Sequence, residues 1–566
     1  MKTKHNITIL LSLLLSFTAN AKPAYRGIVE RIQADGTTVQ VQIHGDEHFH
    51  YTTDLQGNRL VENNGILEKA PALTDDQITQ RRNASRFRLA QQQQEEQGAY
   101  LAPRGLVILA NFSDVKFKAE NNLEAFDSLM NVHGYTYHGV SNSVRDYFID
   151  QSQGKYAPQF DVYGPVTVNH NMSYYGSNDA YGNDKNAEQL ITDACKAADQ
   201  QYDIDFSIYD NDGDDFVDFV FVFYAGYGEA DGADENTIWQ HMYKLYDYSG
   251  IECTIDGKNI NLYACGSELA YHNRKRVSNP RDGISTCCHE FSHVCGLPDM
   301  YLMTDNYNST VYTLGSWDIM DNGTSNNYGW TPPSYSAYEK FYCGWLTPVL
   351  LNSAADIVLP EQNKYNAAAI ITASGQHNLD GAAPSPVTFY MLENRQQEGW
   401  DKYLPGHGLL ITKIQYSRVS WLYNQINTES KQRIAIQPAD GKLSANGDAG
   451  DTYPGTSGQK TFNTVEAFPI TDITETDGII RFKVLGGGEE MQLDVDATQQ
   501  HDFTVKAAAN GLIVNGAAEG SQINVYSITG QHIVTTQATA TQTFIPVQQH
   551  GIYLINLKDT TKPIMF

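Results

Sequence analysis

The chain has 566 residues, and its 66 acidic residues outnumber 39 Lys and Arg, which gives a formal net charge of −27 at pH 7. A surface this acidic repels nucleic acid and anionic lipid, so neither is an expected partner. The length predicts a multidomain protein of about three or four domains.

The first residues have the features of a signal peptide over 1–21. Lys2 and Lys4 precede an apolar run over 7–17, and residues 19–21 read ANA, a small-residue cleavage site. The run is too short to cross a membrane, and no later stretch approaches about 18 uninterrupted apolar residues. We therefore expect an exported protein without a transmembrane segment after cleavage, with a retained anchor as the alternative.

Residues 22–98 are predicted to be a propeptide, which makes the chain a zymogen. The segment 36–53 alternates apolar and polar residues, as a small β unit does, and the Gln-rich run QQQQEEQ at 91–97 is typical of an exposed linker. The unit lies between a signal peptide and a metal-binding motif at 289–299. That position favours a removable pro-region.

The region 99–348 mixes strand and helix patterns, which predicts an α+β domain. GLVILANF at 105–112 and DFVFVFYAGYG at 218–228 are expected to be buried strands, and residues 184–200 have a helical pattern.

An acidic segment, DNDGDDFVD at 210–218, precedes the second of these strands. Asp210, Asp212, Asp214 and Asp218 bring several oxygens together, as a calcium loop does. The segment departs from the EF-hand pattern in the placement of its glycine and in having no glutamate at the end. A structural calcium site is therefore one interpretation, and a solvated acidic turn is the other.

Residues 289–299 read HEFSHVCGLPD, the most informative run in the chain. On a helix, His289 and His293 share one face, so both imidazoles can bind one zinc ion while Glu290 reaches a water on it. Gly296 can end the helix in a left-handed conformation, and Asp299 would then approach the metal as the third ligand.

The surrounding residues predict that this motif lies on a packed helix. Asn279 and Pro280 are suited to a helix start. An apolar stripe follows at helical spacing; it consists of Ile284, Cys288, Phe291 and Cys295. The alternative is an amphipathic helix whose His and Glu face solvent.

The pattern HExxHxxGxxD is similar to the signature of metzincin-like metallopeptidases, and the surrounding sequence resembles the immune inhibitor A family of secreted bacterial peptidases. GSWDIMDNG at 315–323 resembles the Met-turn of that family, and PPSYSAYEKFYCGW at 332–345 resembles its closing helix. The resemblance implies zinc ligands at His289, His293 and Asp299, a general base at Glu290, and Met320 as an apolar floor.

Two features of the site stay open at this point. The tyrosine that some metzincins place two residues after the Met is absent, and Tyr328 and Tyr307 are candidates to stabilise the oxyanion, although a structural role is favoured for both. In the pro-region no cysteine is available to block zinc. A surface strand is preferred over a metal-capping role for its polar residues His44, Asp46, His48 and His50.

Seven cysteines in an exported chain leave at least one unpaired. Cys253 and Cys265, twelve residues apart, are the best disulfide candidates. Cys287, Cys288 and Cys295 fall within the motif helix and are expected to be small apolar packing residues.

The remaining sequence predicts two β-rich regions. Residues 349–486 contain short strands, and the stretch 389–414 resembles a continuation of the family's peptidase region; Asp448 and Asp451 form a turn or a second calcium site. After GGG at 486–488, residues 490–566 are expected to form a β-sandwich that resembles the C-terminal sorting domain of type IX secretion in Gram-negative bacteria.

That resemblance implies a partner in the secretion machinery and a location outside the cell or on its outer surface. The final residues TKPIMF lack the usual basic ending, and a generic β-sandwich is the alternative.

These features together predict a secreted zinc endopeptidase that acts on protein or peptide substrates and is stabilised by calcium. An adhesin or glycan-binding protein on a peptidase fold, which would use some of the 22 Phe, 6 Trp and 35 Tyr as contacts, is one alternative. A zinc amidase is the other.

Overall fold

A computed structural model of the protein describes most of the chain after residue 19. The residues that the structure describes are 20–21, 24–25, 27–46, 49–63, 65–72, 104–137, 140–179, 182–211, 213–270, 280–303, 312–422, 424–428, 431–442, 444, 446–493, 504–508, 511–515, 521–527, 532–538, 542–547, 552–557 and 560–565. The signal peptide predicted over 1–21 therefore lies outside this set except for its last two residues.

The β unit predicted in the pro-region is an antiparallel five-stranded sheet, here called the N-terminal sheet. Its strands follow chain order: Ile28–Ile32, Thr38–Asp46, Phe49–Asp54, Arg59–Asn63 and Ile66–Lys69. Val29, Val41 and Ile43 are buried on one face, where they share a hydrophobic cluster with Ala230 and Trp239 of the following region. The N-terminal sheet is thus packed directly on the next domain.

A six-stranded sheet, the central sheet, organises the region after residue 103. Its strands lie in the order Asn20–Ala21, His241–Lys244, Leu262–Leu269, Val220–Tyr227, Arg104–Asn111 and Gln159–Thr167. The last four are mutually parallel, and the first two pair antiparallel. Parallel strands covered on both faces are apolar throughout, which explains the run Val220–Tyr227 and confirms both predicted strands.

Helices cover both faces of the central sheet and bury two separate cores. One core contains side chains from the helices Leu123–Asn131, Val144–Gln151, Ser285–Ser292 and Ala337–Tyr342. The helix predicted over 184–200 is found at Ala187–Tyr202 and packs into the other core through Leu190, Ile191 and Ala194.

Shorter elements connect this framework. The short helices, including 3-10 turns, are Met172–Gly176, Phe206–Tyr209, Glu229–Asp231, Leu245–Ser249, Gly315–Trp317, Asn322–Gly329, Gln362–Tyr365, Gly399–Tyr403 and Arg418–Leu422. The short strands are Thr136–Tyr137, Val140–Ser141, Phe216–Val217, Thr254–Ile255 and Lys258–Ile260.

The β-rich region, residues 349–493, consists of two sheets around one core. The five-stranded sheet has the order Val349–Leu350, Ala368–Ile371, Thr388–Arg395, Gly408–Gln415 and Ile434–Ile436. The four-stranded sheet has the order Ile470–Thr476, Ile479–Val484, Ala355–Leu359 and Glu489–Gln492.

A third, small sheet joins the β-rich region to the preceding domain. Its strands have the order Leu302–Met303, Asn427–Thr428 and Lys431–Gln432, and the first pair is parallel. The segment just after the metal-binding motif is thereby hydrogen-bonded to a segment roughly 125 residues further along, as the register Leu302 to Asn427 shows.

The C-terminal region forms two sheets whose side chains share one buried cluster. The sheets have the orders Thr504–Ala508, Gly511–Asn515, Gln542–Pro546 and His532–Gln537, Gln522–Ser527, Ile552–Leu557, Thr560–Met565. Within the second of these sheets, Gln522–Ser527 and His532–Gln537 pair antiparallel. The β-sandwich architecture stays a prediction, while the β-rich multidomain character is confirmed. In the part of the chain with a described conformation, no helix is both long and apolar enough to cross a membrane.

Candidate active site

The HExxH residues lie on the buried helix Ser285–Ser292, with His293 as its C-terminal cap. All four residues of the predicted apolar stripe are buried in one core. Gly296 follows with φ +81°, so the left-handed end predicted for the helix is confirmed. The chain therefore turns back immediately after the second histidine.

The predicted start of this helix is wrong. Its N-cap is Ile284, which makes no side-chain capping bond, and Asn279 lies outside the described residues. Pro280 instead accepts a hydrogen bond from the Ala270 N–H at 3.1 Å. Arg281 forms an isolated β-bridge with Leu269 at the end of a central-sheet strand, and the helix begins only at Ser285.

The two imidazoles are oriented by backbone carbonyls. His289 Nδ1 lies 2.8 Å from the carbonyl oxygen of Ile319, and His293 Nδ1 lies 2.6 Å from that of Leu297. If each Nδ1 carries the proton, each Nε2 presents a lone pair to the site, as a metal-binding histidine requires.

Asp299 completes a compact set of donor atoms. Its Oδ1 lies 3.2 Å from His289 Nε2 and 3.5 Å from His293 Nε2, and all three side chains are fully buried. Within the described residues, none of these three atoms has a hydrogen-bond partner. Three buried donor atoms that face one another without other bonds have the arrangement that a cation would satisfy.

Glu290 belongs to the same cluster. Ligand atoms of His289, Glu290 and His293 all lie within 4.8 Å of one another, and the Glu290 side chain is fully buried. The structure thus brings together the predicted general base and the predicted ligands. The assignment of their roles stays a prediction.

Burial and neighbouring charges shift the pKa values of the cluster in different directions. Burial opposes ionisation of His289, but Asp299 and Glu290 raise its pKa to about 9. Burial likewise disfavours a charged Asp299, yet the two histidines hold the pKa of this carboxyl well below its usual range. For His293 burial dominates and lowers the pKa. Two imidazoles and one carboxylate are a donor set that catalytic zinc uses.

The segment that carries Asp299 is held by residues of the β-rich region. The Asp299 N–H donates to Asn424 Oδ1 at 2.6 Å, and Asn424 Nδ2 donates to Asp299 Oδ2. Asn427 Nδ2 donates to the Met300 carbonyl at 2.7 Å. Sequence reasoning missed both asparagines, because nothing in the local sequence links them to a motif more than 120 residues earlier.

The predicted Met-turn lies directly against the first histidine. Ile319 accepts the His289 bond, and the Met320 carbonyl accepts the Met300 N–H at 2.7 Å. Asp318 Oδ1 accepts the Met320 N–H at 2.7 Å, which closes the turn. Met320 is fully buried in the core that contains the motif helix. Its role as a floor for the metal stays a prediction.

The tyrosine candidates receive no support as oxyanion groups. Tyr307 lies outside the described residues. Tyr328 is 38% exposed, and its ring contacts that of Trp330 at a centroid distance of 5.9 Å.

The carboxylates of the acidic segment accept hydrogen bonds from groups within the protein. Asp210 accepts hydrogen bonds from the N–H groups of Gly213, Asp214 and Asp215 at 2.7, 3.0 and 3.1 Å, and Lys258 Nζ lies 2.7 Å from its Oδ2. Asp214 Oδ1 accepts the Phe216 N–H.

Of the other two predicted ligands in the segment, only Asp218 is among the described residues. Asp218 Oδ2 accepts hydrogen bonds from the Asn211 N–H and amide, and Asp212 lies outside the described residues. The calcium site predicted here stays a prediction. The second candidate, Asp448 and Asp451, forms a turn in which Asp451 Oδ2 accepts bonds from Trp317 Nε1 and the Asp448 N–H, both at 2.8 Å.

All seven cysteines are free thiols. The expected Cys253–Cys265 disulfide is therefore absent. Cys265 Sγ instead faces His241 Nδ1 at 3.5 Å on the central sheet. Cys287, Cys288 and Cys295 are buried among apolar neighbours, as predicted, and burial raises the pKa of all three thiols.

The pro-region histidines lie in paired strands. His44 Nε2 contacts Thr53 Oγ1 at 2.8 Å within the N-terminal sheet. His50 Nε2 lies 3.0 Å from Glu229 Oε1, and its ring stacks on Trp239 with centroids 4.1 Å apart. His48 lies outside the described residues, and the side chain of Asp46 is not described. The contacts of His44 fit the paired-strand role, whereas His50 is buried against the following domain and does not lie on a surface strand.

Comparisons with known proteins place this geometry in a peptidase context. Residues 91–345 match the family model of the immune inhibitor A peptidase M6 catalytic domain. Residues 91–345 are thus similar to the catalytic domain of that peptidase family, and the chain resembles named metallopeptidases at modest identity.

The pre-pro-metalloprotease PrtV of Vibrio cholerae is 27% identical over 235 residues, which are 38% of this chain and 25% of the relative. Immune inhibitor A of Bacillus thuringiensis subsp. alesti is 28% identical over 218 residues, which are 35% of this chain and 31% of the relative. The chain thus spans about a quarter to a third of the length of these curated relatives.

A solved structure of PorZ, a surface component of the type-IX secretion system of Porphyromonas gingivalis, is 15% identical and covers 31% of this chain and 21% of that chain. Its TM-score of 0.11 supports no conclusion about fold.

Proposed function

We propose that the protein is a secreted zinc-dependent endopeptidase made as a zymogen. The observation that carries this proposal is the convergence of His289 Nε2, His293 Nε2 and Asp299 Oδ1, buried beside Glu290 in a peptidase M6 domain. His289, His293 and Asp299 would hold the zinc ion. When bound, zinc supplies Lewis acidity and lowers the pKa of a coordinated water to about 7.

The residues of the chain then perform the proton transfers. Glu290 accepts a proton from the attacking water while the water oxygen bonds to the peptide carbonyl carbon. The C–N bond breaks as Glu290 returns that proton to the amine nitrogen. Because Glu290 is fully buried, its carboxylate is shielded from bulk water and suited to this exchange.

Contacts of the N-terminal sheet support the zymogen part of the proposal. His50 contacts Glu229, and the Arg31 side chain donates to the carbonyls of Gly232 and Ala233. The C-terminal region 490–566 is proposed to direct export through the type IX machinery. Deletion of 490–566 should then retain the protein inside the cell envelope without changing its zinc content.

Cleavage of denatured casein tests the enzymatic proposal. We expect the purified, processed protein to cleave casein, a chelator to abolish cleavage, added zinc to restore it, and Glu290→Ala to be inactive with its zinc content unchanged. Cleavage that persists in both the chelated protein and the Glu290→Ala variant would refute the proposal. Glycan binding without any cleavage would favour the adhesin, and hydrolysis restricted to glycan-linked amides the amidase.

A further inference from the structure

The third donor residue, Asp299, is positioned by a side chain from outside the peptidase M6 match. Asn424 forms two hydrogen bonds with this one residue, accepting from its N–H and donating to its Oδ2. Asn424 is 4% exposed and lies in the β-rich region, well beyond residue 345. The contact is therefore buried and joins two domains.

The two carboxylate oxygens of Asp299 have different tasks. Oδ2 is occupied by the Asn424 amide, whereas Oδ1 faces both imidazole Nε2 atoms. A hydrogen bond to one oxygen fixes the rotation of the carboxylate and leaves the other oxygen for a ligand. Asn424 thus determines which oxygen of Asp299 points into the site.

The backbone at Asn424 is adapted to this task. Its φ is +48°, a left-handed conformation that asparagine adopts more readily than most residues. The Asn424 N–H donates to the Trp421 carbonyl at 3.2 Å, and the Trp421 ring packs edge-on against Tyr338, with centroids 6.1 Å apart. The turn that presents Asn424 is therefore anchored on the helix Ala337–Tyr342.

Other contacts hold the same side of the site. The Leu302–Met303 strand pairs with Asn427–Thr428, just after the asparagine turn. The Ser316 N–H donates to the Asn446 carbonyl at 2.9 Å, and Trp317 Nε1 donates to Asp451 Oδ2 at 2.8 Å. Both the Asp299 segment and the Met-turn segment are thus fastened to the β-rich region.

We propose that Asn424 is a positioning residue for Asp299, and that the metal centre of the peptidase domain is completed by the β-rich region. This inference rests on the proposed function, since it takes Asp299 as a zinc ligand. Loss of an outer hydrogen-bond partner typically weakens metal binding by about 10- to 100-fold. We expect that loss when the Asn424 amide is removed.

The test measures zinc affinity of the full-length protein by chelator competition, together with the visible spectrum of its cobalt form and the melting temperature. Asn424→Gly removes the amide but suits the left-handed backbone, so the fold should be retained. The matched control is Asn366→Gly. Asn366 also belongs to the β-rich region, has φ +50°, and donates to the Trp345 carbonyl at 2.9 Å, but among the described residues it makes no hydrogen bond to the site.

We expect zinc affinity to fall about 10- to 100-fold in Asn424→Gly, with an altered cobalt spectrum, and to stay within threefold of wild type in Asn366→Gly. Asn424→Asp is the second variant; it keeps the shape and can still accept from the Asp299 N–H, but it sets a carboxylate against Asp299 Oδ2. It should lose affinity at least as strongly as Asn424→Gly.

Unchanged zinc affinity in both Asn424 variants, or an equal loss in Asn366→Gly, would overturn the inference. If Asn424→Gly does not fold, the result with Asn424→Asp decides. A wild-type protein that binds no zinc would refute the proposed function itself, and the two failures are therefore distinguishable.

Discussion

The motif helix with its following turn, and the acidic segment at 210–218, both contain ligand-type residues at suggestive spacings, but their side chains are used differently. Around the motif, His289 Nε2, His293 Nε2 and Asp299 Oδ1 face one another and, in the described part of the protein, accept or donate no hydrogen bond. In the acidic segment, Asp210 is bonded to backbone N–H groups and to Lys258. A ligand pattern therefore indicates a metal site most strongly when its donor atoms are buried and have no internal partner.

The largest expected difference between the two regions comes from removing one carboxylate in each. Asp299→Ala should lower zinc affinity by more than the roughly 100-fold upper range of an outer-partner loss, because a direct donor disappears. Asp210→Asn should leave zinc affinity and casein cleavage unchanged. Zinc affinity by chelator competition measures both, and equal effects of the two substitutions would remove the contrast.

Two glycines with the same backbone conformation sharpen the comparison. Gly296, after the motif helix, and Gly213, in the acidic segment, both have φ +81°. Replacement of either by Ala should destabilise the protein by about 1–2 kcal/mol because of left-handed strain. Denaturant unfolding measures this loss.

Only Gly296→Ala should also weaken zinc binding, because the turn at Gly296 brings Asp299 towards the histidines. A matching loss of zinc in Gly213→Ala would show that the effect is general destabilisation rather than ligand placement.

Lys258 tests whether the acidic segment can bind a cation at all. Its ammonium bridges Asp210 and Asp215 at 2.7 and 2.8 Å, and the pKa of Lys258 is raised by both carboxylates. Lys258→Gln removes this internal cation, so calcium should raise the melting temperature of the variant more than that of the wild type. An identical calcium response in both proteins would indicate a segment that binds no calcium.

The smallest expected effect concerns Glu62 in the N-terminal sheet, which lies near two acids of the peptidase domain and 3.9 Å from the Arg31 guanidinium. Burial, and then Asp234 and Glu235 of the peptidase domain, raise the pKa of Glu62 to about 7. An acid with a raised pKa in the docked state favours docking when protonated. Docking of the N-terminal sheet should therefore weaken as the pH rises from about 4.5 through 7, and stay weak above that.

Hydrogen exchange of the strand Ile28–Ile32 reports this docking. Glu62→Gln should protect that strand better than wild type at pH 8 and equally at pH 4, below the pKa of an undocked glutamate. If the two proteins exchange alike at every pH, Glu62 has no influence on docking.

The sequence predicted those features that depend on nearby residues. The helical placement of His289 and His293, the left-handed Gly296 and the apolar strands of the central sheet all follow from local spacing and composition. The prediction of the helix start was wrong because the Pro280 carbonyl accepts a hydrogen bond from Ala270, which is a tertiary contact. The prediction of a Cys253–Cys265 disulfide was wrong because proximity along the chain does not fix the direction in which a side chain points from a sheet.

The partners that distinguish the two regions were beyond sequence reasoning for the same reason. Lys258 is 48 residues from Asp210, and Asn424 is 125 residues from Asp299. Neither residue belongs to a recognisable local motif, and only the folded chain brings each one to its partner.

The pairing of Asn20–Ala21 with Met242 and His241 has a consequence for maturation. Cleavage after Ala21, as the ANA site predicts, would carry these two residues away with the leader. The strand His241–Lys244 would then be the edge strand of the central sheet. Its exposed backbone N–H and C=O groups can pair with an extended polypeptide by strand addition. Removal of the leader would thus expose an edge strand that can pair with an incoming chain.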